Sequence, residues 1–320
     1  MRENDKVKFG LHTKSSPKAA KASACGKAII VGEHSVVYGS HAVAMPLKQM
    51  RMDLELIPHG SSLESPEYHL KLGGKDVSER VSGVIPDALD LLNQRRSSLT
   101  IKGHSSLPIG AGLGSSATLC IATLRSICNS MDLNLNRDEI ANLGNELEAR
   151  FHGKPSGLDT AVVAYEQSVY FSKGTPIQSI NCEGAAPWHF ALIDSKVRAS
   201  TLAMIRLAEP YFRAPDGDLK IERFDIAAKL VRDSLPEGNY GAVAEAMSEC
   251  ASLLKEAKVV PDSIQSILDA CLESGVMAAK TTGAGGGGTV LCLLSPENWK
   301  QELSSLQSNF KDNPVFHVTI

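Results

Sequence analysis

The sequence predicts a mixed protein of strands and helices with room for two domains, and three observations predict it. The chain has 320 residues, against about 100–200 for a typical domain. Its first half intersperses short strand-like runs with helical spacing, and the run Ala42 to Ile57 carries the period-two pattern of a half-solvated antiparallel strand. After about residue 184 the texture changes to helices.

Composition narrows the function classes. With 43% hydrophobic and 22% charged residues the chain is ordinary globular material, and a net charge of -3 gives no basic field for nucleic acid. No apolar run, Thr289 to Leu294 among them, approaches the roughly 20 residues of a membrane helix. Seven cysteines are scattered, odd in number and never spaced C-x-x-C, which argues for a reduced intracellular protein, expected in the cytoplasm, without a zinc site.

Taken in order, residues 1–22 form a lysine-rich tail in which Val7, Phe9 and Leu11 alternate as a short strand. Ala28 to Val31 is a strand closed by Gly32, which leaves Glu33 and His34 at a strand end, where residues often meet ligand. In the 42–57 strand Met50, Met52, Leu54 and Leu56 alternate against Arg51, Asp53 and Glu55. Residues 58–78 are turn-rich hairpin material, a helix is expected near Val81 to Arg95, and Leu99 to Lys102 is the next strand. Asn136 and Glu139 have capping-box spacing, and the helix they open places Ile140, Leu143, Leu147 and Phe151 on one face, with Glu146 and Glu148 off it. Gly153 to Thr160 is a tight turn with Asp159 at its end, followed by a strand pair, Ser168 to Phe171 and Phe190 to Asp194. Helices follow at Arg223–Leu235, Tyr240–Leu254 and Ser263–Leu272.

Chemistry concentrates in Pro108-Ile109-Gly110-Ala111-Gly112-Leu113-Gly114-Ser115-Ser116-Ala117. Three alternate glycines lead into an apolar helix bearing Leu119, Ile121, Leu124 and Ile127. A glycine-rich turn feeding a helix N-terminus gathers backbone N–H groups into an anion cradle. The serine hydroxyls, one turn into the helix, would hold a phosphate or a magnesium ion. The plainer reading is a turn and cap, since Gly and Ser are common in both. A second glycine run, Lys280-Thr281-Thr282-Gly283-Ala284-Gly285-Gly286-Gly287-Gly288, precedes a strand and opens no helix, so it is not a dinucleotide-binding fingerprint. No G-x-x-x-x-G-K-[ST], H-R-D or D-F-G occurs, which removes P-loop proteins and protein kinases.

Taken together, Gly26-Lys27 with Gly32 to Gly39, the Pro108–Ala117 segment and Lys280 to Gly288 resemble the three motifs of the GHMP small-molecule kinase superfamily, and by that resemblance the last closes on the phosphates and supports the substrate-side loops. Gly26-Lys27 with Gly32-Glu33-His34-Ser35-Val36-Val37-Tyr38-Gly39, and His152-Gly153-Lys154-Pro155-Ser156-Gly157-Leu158-Asp159, are similar to the corresponding segments of its mevalonate kinase branch. The likeness runs from about residue 22 to 294. It implies a two-domain α+β fold, an N-terminal ribosomal-protein-S5-like α/β domain over 1–183 and a C-terminal ferredoxin-like domain over 184–320, with the site between them. It also implies ATP-dependent phosphorylation of the 5-hydroxyl of mevalonate, a small-molecule substrate, and a homodimer. By the same likeness Gly110, Ala111, Gly112, Leu113, Gly114, Ser115 and Ser116 cradle the ATP phosphates, and Ser105 contacts nucleotide. Ser116 and Glu148 are the Mg2+ ligands, Asp159 is the catalytic base, and Lys27 pairs with it to steady the transferring phosphoryl group. Glu33, His34 and Thr201 lie near the acceptor. The chain departs from the family's usual pattern at Ile109, Thr160 and Lys48-Gln49, and Ser195 to Thr201 aligns loosely. Rival readings are a GHMP kinase for another acceptor and a silent ATP and metabolite sensor; retention of Lys27, Glu148 and Asp159 together argues against the second.

Overall fold

The computed structural model describes residues 17–59, 67–77, 83–152, 155–182 and 186–320, with the side chains of residues 151 and 152 excepted. The expected strand around Val7, Phe9 and Leu11, part of the 58–78 hairpin, the first residues of the 81–95 helix, the Phe151 side chain, Gly153-Lys154 and the 183/184 boundary lie outside the described residues.

The first sheet is built on two long antiparallel strands, β1 (Ala20–Val31) and β2 (Ala42–Pro58). Residues 20–22, expected in the tail, already pair with β2. Met50, Met52, Leu54 and Leu56 are buried while Arg51, Asp53 and Glu55 face the other way, as the alternation requires. The sheet continues with β3 (Tyr68–Leu72), β4 (Lys75–Asp76), β5 (Leu99–Ser105), β6 (Ser168–Phe171) and β7 (Gln178–Ile180), in the order β4-β3-β5-β2-β6-β7 with β1 also on β2.

Among the described residues, α1 (Val84–Leu91), α2 (Ser115–Ser130), α3 (Arg137–His152) and α4 (Leu158–Tyr165) accompany this sheet. α1 is shorter than expected because Asn93 turns left-handed, φ 53°, just past its end. α2 is buried almost all round, packed on β1 and β2 and against α1, α3 and α4, which explains why its sequence lacks clean periodicity. Val43, Met45 and Leu47 join the large core, which also takes in α6 and α7, whereas Ala42 and Ala44, on alternate positions, join Leu158, Ala161 and Val162 of α4 in a separate cluster. The N-terminal part of β2 is therefore apolar on both faces.

The second sheet is antiparallel: β8 (His189–Asp194), β9 (Ala278–Thr282), β10 (Thr289–Leu293) and β11 (Val315–Thr319), in the order β11-β8-β10-β9. The expected pairing of 168–171 with 190–194 is therefore corrected. β6 pairs with β2 and β7 in the first sheet, and β8 pairs with β10 and β11 in the second. Local pattern marks a strand but does not choose its partner. Helices α5 (Thr201–Phe212), α6 (Gly217–Glu237), α7 (Tyr240–Glu256), α8 (Asp262–Glu273) and α9 (Trp299–Asn309) complete this part. α7 packs on β9 and also on β1, so it bridges the sheets; α8 and α9 close a separate core of Ile193, Leu268, Cys271, Val290 and Leu306. On α6, Asp225 accepts hydrogen bonds from the His41 backbone and ring, a further tie across the same boundary.

Candidate active site

The loop between β5 and α2 has the alternating hand of an anion nest. Gly110, Gly112 and Gly114 stand at φ 71°, 81° and 77°, while Ala111 and Leu113 between them are buried. Ala111 and Leu113 anchor the loop instead of lining the cleft: the Ala111 carbonyl accepts from Thr289 Oγ1 at 2.9 Å, and the Leu113 carbonyl from the Lys27 backbone N–H at 3.1 Å. Ser105 also lies away from the cleft wall, its hydroxyl accepting from the Leu107 N–H at 3.2 Å. Ser115 and Ser116 are the first two residues of α2, not a turn further in as expected, because Gly114 is the N-cap.

Ser116 Oγ donates to Glu148 Oε1 at 2.7 Å. Glu148 is 5% exposed, so its place off the apolar stripe of α3 is not a solvated one; Glu146 is the exposed member of the two. Burial pushes the Glu148 carboxyl up to about 7, the nearby Asp159 charge adds to this, and the Ser116 hydrogen bond and Lys27 oppose it. Lys27 is buried, with Nζ 3.1 Å from Asp159 Oδ2 and donating to the Gly112 carbonyl at 3.1 Å. Asp159 is the second residue of α4, not the end of a turn, and its half-open carboxylate faces the cleft near a positive helix end. Gly157, at φ 95°, makes the sharp entry into that helix.

These groups line one cleft of about 440 Å³ together with Glu33, His34, Gly110, Gly112, Gly114, Ser115 and Thr201, and with an apolar wall of Ile29, Val36, Val37, Leu158 and Ile205. Thr201 is the exposed first residue of α5. Glu33 is more enclosed than an acceptor contact would require. It is 1% exposed, one carboxylate oxygen is paired with Lys280 Nζ, and Oε2 is buried without a hydrogen-bond partner. Burial raises its pKa, against the pull of Lys280. His34 sits at φ 61° with Nε2 2.8 Å from the Ala284 carbonyl, so that nitrogen carries a proton. Burial depresses its pKa, the Ala284 bond opposes this, and the positive charge of Lys280 depresses it further, which favours the neutral ring.

Three further groups have no individual role in the sequence, although Lys280 and Thr282 stand in the segment that resembles the third motif. Lys280 is fully buried and also donates to the Thr281 carbonyl at 2.7 Å. Thr282 Oγ1 accepts from the Ile29 N–H at 2.8 Å and donates to its carbonyl at 3.1 Å. Arg198 binds Asp194 with two 2.7 Å contacts and donates from Nε to the Ile109 carbonyl at 3.1 Å, which ties the second part of the chain to the glycine loop before α2. The loosely aligned Ser195–Thr201 stretch held the only signal for Arg198. Lys48 and Gln49 are exposed, and the Gln49 amide donates to Thr319 Oγ1 at 2.9 Å, so that departure from the family pattern falls at a contact with β11.

The GHMP kinases N terminal domain model matches residues 81–167, and the GHMP kinases C terminal model matches residues 231–312. Mevalonate kinase of Pyrococcus abyssi is 28% identical over 305 residues, covering 87% of this chain and 89% of the relative. Mevalonate kinase of Methanocaldococcus jannaschii is 29% identical over 310 residues, covering 91% and 96%. The crystal structure of L. major mevalonate kinase in complex with R-mevalonate has a TM-score of 0.81 at 20% identity, covering 97% of this chain and 98% of that one, a likeness of fold. With both domain models in order on one two-sheet fold, and the glycine cradle, lysine, aspartate and glutamate gathered around one cleft, the chain belongs to the GHMP kinase family.

Proposed function

We infer that this chain is an ATP-dependent kinase that phosphorylates the 5-hydroxyl of mevalonate, giving 5-phosphomevalonate and ADP for isoprenoid precursor synthesis. The carrying observation is the Lys27–Asp159 pair, 3.1 Å apart, sharing one cleft with the Ser116–Glu148 pair and the glycine nest. Near-full-length likeness to archaeal mevalonate kinases supports the acceptor.

Phosphoryl transfer is mostly positioning plus charge stabilisation. In our reading the loop Gly110–Ser116 holds the phosphates of ATP with backbone N–H groups and the positive end of α2. Asp159 takes the proton of the acceptor hydroxyl as its oxygen bonds to the γ-phosphorus, and the bond to the β-phosphate oxygen breaks to release ADP. Lys27 holds Asp159 in line and offsets charge on the transferring group. Ser116 and Glu148 suit Mg2+, since a hydroxyl and a carboxylate are hard oxygen donors and a buried carboxyl titrating near 7 gains from a cation. When bound, the ion would neutralise phosphate charge. Glu33 supports the acceptor end of the cleft from below, and His34 and Thr201 face it.

The same reading divides the chain at 183/184, a place supported by the two separate sheets on either side. A homodimer and a cytoplasmic location belong to it through the family resemblance. No helix among the described residues is long and apolar enough to cross a membrane.

The test is ADP release by the purified protein with ATP, magnesium and mevalonate, run beside phosphomevalonate, galactose and homoserine. Turnover with mevalonate alone is expected. Turnover only with another acceptor would keep the transfer chemistry and overturn the substrate. ATP binding without turnover on any acceptor would overturn the kinase reading.

A further inference from the structure

Beneath the cleft lies an ion pair that the transfer step does not use. Lys280, in the middle of β9, is 0% exposed, and Glu33, just beyond the end of β1, is 1% exposed. Lys280 Nζ bonds Glu33 and the Thr281 carbonyl, leaving Glu33 Oε2 buried without a partner. Charges this deep are costly unless paired, and in some proteins a buried pair fixes one arrangement of parts. Here the arrangement is visible. Glu33 and Lys280 come from the two different sheets, and each is close in sequence to a residue that touches the other side. His34 reaches across to the Ala284 carbonyl at 2.8 Å, and Thr282 exchanges two hydrogen bonds with Ile29. His34 is also the centre of a strained γ-turn, φ 61° and ψ −51°, in which the Ser35 N–H donates to the Glu33 carbonyl at 2.7 Å, so the backbone on either side of Glu33 must be held in one place.

We propose that Lys280 is the positioning residue of the acceptor end of the cleft: by gripping Glu33 it holds His34 and the Gly283-Ala284 segment in place. This rests on the kinase reading above for what binds there, but the positioning itself is a property of the free protein. Lys280 does not line the cleft. Its effect passes through Glu33 and His34, both of which do.

The variants are Lys280→Met and the double variant Glu33→Gln with Lys280→Met, made in the full chain. The single variant strands a buried carboxylate and is the one at risk of failing to fold. The double variant is close in volume and leaves no buried charge, so it is expected to regain thermal stability. Steady-state kinetics should show the KM for mevalonate raised about tenfold or more in each folded variant, with the KM for ATP within about threefold of the wild type. Hydrogen–deuterium exchange on the free proteins should rise in residues 33–38 and 281–288 of both folded variants. Unchanged exchange in 33–38 and 281–288 of the folded double variant would overturn the proposal, as would a wild-type mevalonate KM in it. If the wild type itself does not turn over mevalonate, the kinase reading fails. The exchange result then decides the positioning role alone.

Discussion

The molecule contains two glycine runs of similar composition that do different physical work. In the first, Gly110, Gly112 and Gly114 line the cleft, and the space a side chain would take at Gly114 and Gly110 is filled by Lys27 and Arg198, whose Cγ and Cδ would stand 2.8 and 3.3 Å from a Cβ there. In the second, Gly283 to Gly288, the missing side chains allow backbone to press on backbone: a Cβ on Gly285 would stand 2.5 Å from the Val259 carbonyl oxygen, and one on Gly288 2.9 Å from that of Ala111. Gly112 is where the runs meet, since a Cβ there would come within 2.9 Å of the Thr282 carbonyl. A glycine run thus announces close approach without saying what approaches. The element that the run leads into decides between the two. The first run opens α2 and so adds a helix end beside the cleft; the second enters β10, a central strand of the second sheet, and from Gly285 on serves cohesion, while Gly283 and Ala284 line the cleft.

Chemistry should therefore be lost beside the first run and stability in the second. The largest effect is expected from Asp159→Asn. Its kcat should fall by roughly 10²–10⁴ with KM values changed much less and the melting temperature kept. Near-normal turnover by the folded variant would remove Asp159 as the base and undo the assignment of chemistry to this side of the cleft. Gly285→Ala comes next. It combines a left-handed backbone, φ 79°, with a backbone clash, and should cost about 3 kcal/mol in denaturant unfolding, with kcat in the surviving folded fraction near normal. A stable Gly285→Ala variant with lost ATP binding would make the second run a cradle too.

Glu148→Gln refines the picture of the first side. Its magnesium requirement should rise about tenfold, read from activity against free magnesium. The sign of the pH dependence follows from the raised pKa of Glu148. The folded state binds a proton that the unfolded state has lost between about 4.5 and 7, so metal-free stability falls as pH rises through that window. The glutamine variant should be free of this loss and be the more stable protein at pH 8 without metal. In the wild type the magnesium requirement should climb as pH drops below about 7, because proton and metal compete for one carboxylate, and the variant should not show that climb. The smallest effect is a control for the second run. Gly238, the left-handed C-cap of α6, has open space where a Cβ would stand, with nothing within 4 Å, so Gly238→Ala should cost only about 1 kcal/mol. If it costs as much as Gly285→Ala, backbone hand alone explains the second run and close packing does not.

Much of the fold is legible for local reasons. The alternation in 50–56, the capping box at Asn136 and Glu139, and the helices ending near 235, 254 and 272 are short-range patterns, and the structure keeps them: Asn136 and Glu139 exchange hydrogen bonds of 3.0 and 2.7 Å. α4 escapes a pattern reading because its eight residues are nearly all buried, so no polar face marks a period. α5 escapes it because its stripe is broken by exposed Leu202 and Leu207. In the site, Lys27, Ser116, Glu148 and Asp159 belong to recognisable motifs and do share the cleft. Glu33 stands in a motif beside them, but its carboxylate is held from behind by Lys280.

Sequence alone is enough to place glycines, a lysine, a serine and two carboxylates with the spacing of a phosphoryl-transfer family, and to mark most strands and helices, because capping, turn chemistry and apolar periodicity act within a few residues. It took the folded chain to put β6 and β8 in different sheets, to bury Glu148 against Ser116, and to bring Lys280 to Glu33 across 247 positions of chain. Those outcomes depend on which surfaces meet, and burial, ion pairing and pKa are properties of the meeting and not of either segment alone.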